Sequence, residues 1–340
     1  MSAIPVVTLH GSAFERGRQH GGRFRSEIAS GLTAARAAQS DAVYRAARRR
    51  AESASANIRL AAPEVAEELE GLAVGAGSDP IDILLRSGFE FFAASPPGGC
   101  SAIAACGDGG ALVAQNWDAP PALASELALF LHFGPAGLEQ AIVGSLGMLG
   151  WVGCNRHGLA FVNNDLMLSS TASGLPSQIV RRLILRERTV PAALDLLRRL
   201  PHMGGRSYLL GDAAGRVAGV EVAAGIGARV NQTESPVLHT NHALDRDVAA
   251  DQSEAELQAI YPSSRHRYDV LRKRAGGRLD SDAIAAMLAD EEGHPNSIAK
   301  AASAAEPSAT LFSVIFDCGG RSLLLCRGAP VHQDYQRVAW

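Results

Sequence analysis

The sequence predicts an α+β protein built as a four-layer αββα sandwich. Three observations carry that expectation: a helical lead fills the first hundred residues, the texture changes at Cys100 to short β-like runs between glycine turns, and amphipathic helical stretches separate those runs. Two sheets packed on each other, with helices outside both, would bury every apolar face in this order of elements.

The elements follow in order. Glu27 to Leu60 is rich in Ala, Arg and Glu, and Pro63 opens "PEVAEELEGLAVGAG" where an N1 proline belongs. "DPIDILLRSGFEFFAAS" carries Ile81, Ile83, Leu84, Leu85, Phe89 and Phe92 at helical spacing, and Pro96 with Pro97 should stop it. Strand signals are few in this first part. Beyond Cys100, "ALVAQN" from Ala111, "LALFLHF" from Leu127 and "GLAFVN" from Gly158 read as strands, and "SYLLGDAAGRVAGVEVA" from Ser207 as a hairpin. Helices are expected at "SQIVRRLILRER" from Ser177, "VPAALDLLRRL" from Val190 and "LDSDAIAAMLAD" from Leu279. "TLFSVIFD" and "RSLLLCRG" alternate around "CGG" as a second hairpin. No repeat or low-complexity linker interrupts the chain, so the change at residue 100 is expected to be a seam inside a single domain, residues 1–340.

Composition narrows the function. With 340 residues, 47% of them hydrophobic, the chain can bury a large core without staples. A net charge of −3 argues against a phosphate-tracking surface, and the basic run Tyr44 to Arg50 reads as a solvated helix face; no nucleic-acid partner is expected. The first residues lack a basic stretch ahead of an apolar one, and no window reaches the ~18 apolar residues of a membrane helix, so neither a leader nor a membrane partner is expected. Five cysteines without a CxxC pair suit free thiols in a reducing cytoplasm. "VGAGSD" has Pro80 where a dinucleotide fingerprint needs its third glycine. His239 and His242 in "HTNH" have no cysteine or acidic pair to complete a metal site, and hydrogen bonding within the fold is the expectation. No metal and no cofactor are expected.

Cys100 is the feature that composition leaves unexplained. It follows Gly98 and Gly99, which have no Cβ to hinder attack on a carbonyl, and it opens a strand-like run. That suits self-cleavage: the thiolate attacks the Gly99 carbonyl, the peptide shifts to a thioester, and water releases a chain beginning at Cys100. The new terminus holds a nucleophilic thiol and an α-amine of pKa roughly 7.7 to 8.0, a general base near neutrality.

The run "GGCSAIAACGDGGALVAQNWD" resembles the self-processing segment of the acyl-coenzyme A:6-aminopenicillanic acid acyltransferase family, the C45 group of N-terminal-nucleophile hydrolases. "GSAFERGRQHGGRF", "LEGLAVGAGSDPIDIL", "GWVGCNRHGLAFVNNDL", "HTNHAL", "PSSRHRYDVL", "DEEGHPNSI" and "ATLFSVIFD" are similar to further family segments in the same order and span almost the whole chain. The resemblance implies the αββα fold, cleavage between Gly99 and Cys100 into fragments 1–99 and 100–340 that stay associated, and acyl transfer through a thioester on Cys100. It implies that Asp118, ending "QNWD", is the site aspartate and that Asn241 is the oxyanion-hole asparagine. The chain departs from the fungal acyltransferase before "ATLF", where Glu306 and Pro307 stand in place of a Ser-Arg pair. Arg265 and Arg267 lie on a separate helix-like segment and are assigned no role.

The expected activity is therefore hydrolysis of a small-molecule, non-peptide amide through an acyl-thioester. Its alternatives are transfer of an acyl group to a small amine, with acyl-coenzyme A a candidate donor, and an uncleaved binding protein. Trp117, Phe92, Met148 and Trp151 are the candidates for lining the acyl cleft; Phe89 and Phe91 lie beside the same motifs.

Overall fold

A computed structural model describes residues 3–87, 89–92, 98–304, 306–331 and 334–339. A short strand, β1 (Val6–His10), leads into five helices: α1 (Ala13–Arg23), α2 (Arg25–Ala37), α3 (Asp41–Ala61), α4 (Pro63–Ala76) and α5 (Pro80–Ser87). Then come β2 (Gly99–Gly107), β3 (Gly110–Ala119), β4 (Leu127–Gly134), β5 (Gly137–Ser145), β6 (Val152–Asn155) and β7 (Ala160–Asp165). Helices α6 (Ser177–Ile184) and α7 (Val190–Arg199) precede β8 (Arg206–Gly211), β9 (Val217–Ala223), β10 (Gly227–Gln232) and β11 (Val237–His239). Helices α8 (Arg246–Ala250), α9 (Glu254–Ile260), α10 (Ser264–Arg274) and α11 (Ser281–Leu288) lead to β12 (Ala309–Asp317), β13 (Ser322–Arg327) and β14 (Gln336–Ala339).

Among the described residues the strands form an eight-stranded sheet, β1-β4-β5-β6-β7-β8-β9-β10, and a six-stranded sheet, β11-β2-β3-β12-β13-β14. Period-two alternation assigns their faces. Along β2, Ala102 and Ala104 point into the core between the sheets, while Ile103 and Ala105 join Val270, Leu271, Ile284 and Leu288 of α10 and α11. In the larger sheet, Val143, Val162 and Leu209 face the smaller sheet, and Ile142, Phe161 and Leu210 face the helices. Strands buried on both sides read as unbroken apolar runs, which is why these segments look hydrophobic throughout. The layers are helices, sheet, sheet, helices: the αββα sandwich.

The two hairpins are antiparallel pairs, β8 with β9 and β12 with β13. Two local expectations differ. The helical lead also holds β1, which pairs parallel with β4 at the sheet edge; only five residues long, it is too short to stand out as a pattern. The helix from Pro80 ends at Ser87, and a 3-10 turn, Phe89–Phe91, comes after it. Glycine, the residue at position 88, is a poor helix former, and ending the helix at Ser87 lets Phe91 enter the core. Pro96 and Pro97, expected to stop that helix, lie outside the described residues.

The helical lead does not stand apart from the chain beyond Cys100. Ile58, Leu72 and Leu84 share one core with Phe161, Leu183 and Val220. Helices α1 and α4 cross closely enough that a Cβ on Gly71 would overlap the carbonyl oxygen of Phe14, and one on Gly21 that of Leu72. Because backbone cannot yield as a side-chain tip can, Gly71→Ala is expected to lower stability by about 1–3 kcal/mol. A lower urea midpoint with unchanged helix content by circular dichroism is the measurement that checks it.

Candidate active site

The paired strands β2 and β3 place the site. Their register sets Gly99 opposite Asp118 and Cys100 opposite Trp117. Cross-strand partners share a face, so Asp118 accompanies Gly99 while the Cys100 side chain accompanies Trp117. Trp117 stacks on Trp151 at 5.2 Å and on Phe312 at 5.6 Å between ring centroids. The two tryptophans wall a cavity of about 190 Å³ that reaches Cys100, with Leu123, Met148 and Val152 adding apolar surface. Trp117, Met148 and Trp151 thus line this cavity. Phe92 does not; it lines an adjoining polar cavity together with Leu168, Ser170 and Glu256. Phe91 is core, and the Phe89 side chain lies outside the described residues.

The glycines before the cysteine are set by packing. A Cβ on Gly98 would overlap the Asp118 carbonyl oxygen, and one on Gly99 would come within 2.9 Å of Arg267 Nη2 and 3.0 Å of Asp118 Oδ2. That second contact also locates the aspartate: its Oδ2 is buried beside Gly99 with no hydrogen-bond partner among the described residues, while Oδ1 accepts from the Thr310 hydroxyl at 2.7 Å.

Asn241 is held against the peptide nitrogen of Cys100. Its Oδ1 accepts from that N–H at 2.9 Å and from Arg267 Nη2 at 2.8 Å, two donors that fix which end of the amide faces the cysteine. Its Nδ2 donates to the Asp165 carbonyl at 3.2 Å. The Cys100 carbonyl oxygen accepts from Asn164 Nδ2 at 3.0 Å and Arg267 Nη1 at 2.5 Å. Cys100, Asp118 and Asn241 therefore converge on one peptide bond.

Arg267 is a participant to which the sequence alone assigns no role. It is fully buried on α10, whereas Arg265 is exposed and pairs with Glu254 at 2.6 Å. The spacing of Ser264, Arg267 and Leu271 marks the buried helix face, and that signal separates the two arginines. Asn164 carries no such mark beside Asn163 until the face of β7 is known.

The departure at Glu306 and Pro307 has a structural answer. Buried Lys300 places Nζ 2.6 Å from Glu306 Oε2, and Glu306 Oε1 accepts from the Ser308 hydroxyl at 2.6 Å. The Lys300 N–H donates to Thr310 Oγ1 at 3.0 Å, whose hydroxyl reaches Asp118. A lysine from the opposite end of the loop thus joins Arg267 in holding the charge of the aspartate.

Burial dominates the electrostatics. It pushes the Cys100 thiol up to about 12, with Asp118 adding to the shift and Arg267 opposing it. It also raises the Asp118 carboxyl above its ordinary range, against the pull of Lys300, Arg267 and the Thr310 bond. His239 and His242 are hydrogen bonded within the fold, to Glu221 at 2.8 Å and to Ser264 Oγ at 2.9 Å. Among the described residues no group of His, Cys, Asp or Glu could hold a metal ion, and no helix is long and apolar enough to cross a membrane.

A family model described as "Acyl-coenzyme A:6-aminopenicillanic acid acyl-transferase" matches residues 106–332. The "Acyl-coenzyme A:6-aminopenicillanic-acid-acyltransferase 40 kDa form" of Emericella nidulans is 27% identical over 342 residues, 96% of this chain and 94% of its own. Among solved structures, the N-acylethanolamine-hydrolyzing acid amidase ortholog of Caenorhabditis elegans superposes with a TM-score of 0.45 at 15% identity, over 65% of this chain and 93% of its own. Penicillin V acylase from Agrobacterium tumefaciens gives a TM-score of 0.42 at 13% identity, over 67% and 82% of the two chains.

An aspartate whose carboxyl is raised is less willing to ionise in the folded chain than in the unfolded one, so its charge costs stability above the unfolded pKa of about 3.9. In a Cys100→Ala background, Asp118→Asn is expected to raise the urea midpoint at pH 7. The gain should shrink as pH falls toward 3, where the native aspartate is also neutral; urea titrations at the two pH values read it.

Proposed function

The chain belongs to the acyl-coenzyme A:6-aminopenicillanic acid acyl-transferase family, and from that premise we propose that it is a self-processing amidohydrolase whose nucleophile is the N-terminal thiol of Cys100. The observation that carries the reading is the convergence on the Gly99–Cys100 peptide: Asn241 Oδ1 accepts its N–H at 2.9 Å, and the unpartnered Asp118 Oδ2 lies beside Gly99.

Cleavage proceeds with every proton placed. Asp118 accepts the thiol proton, the sulfur bonds to the Gly99 carbonyl carbon, and the carbon–nitrogen bond breaks as the nitrogen takes up the proton. Water then hydrolyses the thioester, leaving the Gly99 carboxylate, the free thiol and an α-amine on Cys100. A thiol with a pKa near 12 is almost wholly protonated at neutral pH and so needs a base, and Asp118 lines the same cavity as Cys100. A raised carboxyl pKa narrows the gap between donor and acceptor.

In the processed enzyme the α-amine replaces the peptide N–H that Asn241 Oδ1 now holds, and the same oxygen orients it as general base. The thiol attacks the substrate carbonyl, the α-amine carries its proton to the departing amine, and an acyl-thioester remains. Water completes hydrolysis; a small amine bound in its place receives the acyl group instead, which is the transferase reading. Asn241 Nδ2, released from the Asp165 carbonyl, supplies an oxyanion donor, the role that the family pattern gives it. The apolar cavity beside Cys100 receives the acyl chain.

Denaturing mass spectrometry is expected to find fragments 1–99 and 100–340, co-eluting in native gel filtration, and a single uncut chain for Cys100→Ala. An uncut wild-type chain under all conditions removes the main step and leaves the binding-protein reading. Asn241→Ala is expected to slow amide turnover by about 10²–10³-fold, the cost of losing one oxyanion donor, in steady-state assays of whatever fraction is processed.

A further inference from the structure

A carboxylate and an imidazole are buried together between the two sheets, and neither lines the cavity beside Cys100. Glu221 stands on β9 between Val220 and Val222, which face the helices, so its side chain points toward the smaller sheet. His239 ends β11 opposite Ala102, and cross-strand partners share a face, here the one that meets the core between the sheets. His239 Nε2 lies 2.8 Å from Glu221 Oε1. Glu221 holds more than the histidine: Oε1 also accepts the Leu244 N–H at 2.7 Å, and Oε2 the Asp245 N–H at 3.1 Å. The Thr240 carbonyl, 2.6 Å from His239 Nδ1, can only accept, so that nitrogen donates to it. The carboxylate therefore grips the chain at residue 239 and again at 244 and 245, on either side of Asn241. From α10, Ser264 Oγ accepts the Asn241 N–H at 2.8 Å, and the Ser264 carbonyl accepts from the Thr240 hydroxyl at 3.0 Å.

Stability does not call for this arrangement. Desolvating a carboxylate and an imidazole is costly, and well-packed apolar side chains of similar volume commonly join buried surfaces at least as well. Apolar side chains offer no acceptor to the Leu244 and Asp245 amides, and those amides fix the turn from which Asn241 Oδ1 reaches the Cys100 N–H at 2.9 Å. What the buried pair adds is the placing of that turn.

We propose that Glu221 is a positioning residue for Asn241: by binding His239 on one side of the asparagine and the Leu244 and Asp245 amides on the other, it sets Asn241 against the Gly99–Cys100 peptide and so governs how fast that bond breaks. Glu221 touches none of the reacting atoms and acts through Asn241. The role rests on the amidohydrolase reading above.

The test times the chain's own scission by denaturing mass spectrometry of freshly translated protein, so no outside substrate is needed. Glu221→Gln leaves one acceptor oxygen where the carboxylate has two, and it should slow cleavage by about 10- to 100-fold, since a shift of about 1 Å at a reacting group costs a loss of that order. His239→Leu should do the same, and His239→Gln, whose amide nitrogen can stand where Nε2 does, should recover most of the rate. In an Asn241→Ala background, Glu221→Gln should add less than about twofold, because the group it positions is already gone. Losses that multiply in the double variant, or a His239→Gln chain no faster than His239→Leu, overturn the proposal in favour of a purely structural pair. If Glu221→Gln does not fold, Glu221→Asp, which keeps the charge but draws it back by one methylene, takes its place in the same comparison. Hydrogen exchange on uncut Cys100→Ala needs no chemistry: adding Glu221→Gln should speed exchange of the amide at residue 100, the one that Asn241 Oδ1 accepts, and leave the Ala104 amide unchanged. Exchange unaltered at residue 100, or raised alike at both, overturns the proposal. Failure of the amidohydrolase reading shows instead as a wild-type chain that stays uncut, whatever the exchange result.

Discussion

The register between β2 and β3 is the constraint on which everything else in the site rests. Setting Gly99 opposite Asp118 brings a carboxylate to the residue before the cysteine, and setting Cys100 opposite Trp117 turns the thiol toward the apolar cavity. A slip of one residue would exchange the two faces, moving the thiol toward Arg267 and the aspartate toward the tryptophans. The sandwich prevents that slip because both faces of β2 are packed: Ala102 and Ala104 fit the space between sheets, and Ile103 fills a pocket among α10 and α11. Core packing thereby fixes the geometry of a peptide bond at the end of the strand.

Buried charge is the second organising feature. Asp118, Arg181 and Arg206 are buried on the cavity beside Cys100 and Asp165 is nearly so, while Glu90, Arg267 and Lys300 have side chains buried behind it. Most are held by charge-assisted hydrogen bonds, which recover much of the desolvation cost. Among the described residues Asp118 keeps one carboxylate oxygen, Oδ2, without a hydrogen bond, and that oxygen lies beside the scissile peptide. An enclosed site of this kind stabilises the protein little and orients reacting groups strongly.

Much of this was legible in the sequence. The layers followed from alternating and helical periodicity, and Cys100, Asp118 and Asn241 from a family pattern whose members the fold then gathered. What escaped had physical reasons. β1 is five residues of edge strand, below the length at which a period can be read. Arg267 sits in a polar helix whose inward face is marked only by the sparse spacing of Ser264, Arg267 and Leu271, a signal that is easily passed over beside Arg265 two residues away. Lys300 is ten residues from Thr310 along the chain, and nothing local shows that the intervening loop folds back to seat it. Phe92 looked like cleft lining because it neighbours the cysteine in sequence, yet a turn at Phe89–Phe91 carries it to another cavity.

The parallel pairing of β1 with β4 makes the leading segment an interlocked part rather than a removable cover. Its strand is stitched into a sheet whose other strands all come from beyond residue 100, and its helices supply half of the core on that sheet's outer side. A break in the backbone at Gly99 would change the chain's connectivity without freeing either piece, since separation would strip a strand from the sheet and bare an apolar layer on both sides. The molecule behaves in that respect like a jointed object whose pin can be cut while the joint holds. A gene lacking the first hundred codons would encode a product with an open sheet edge and an uncovered face, a candidate for aggregation rather than a smaller working enzyme.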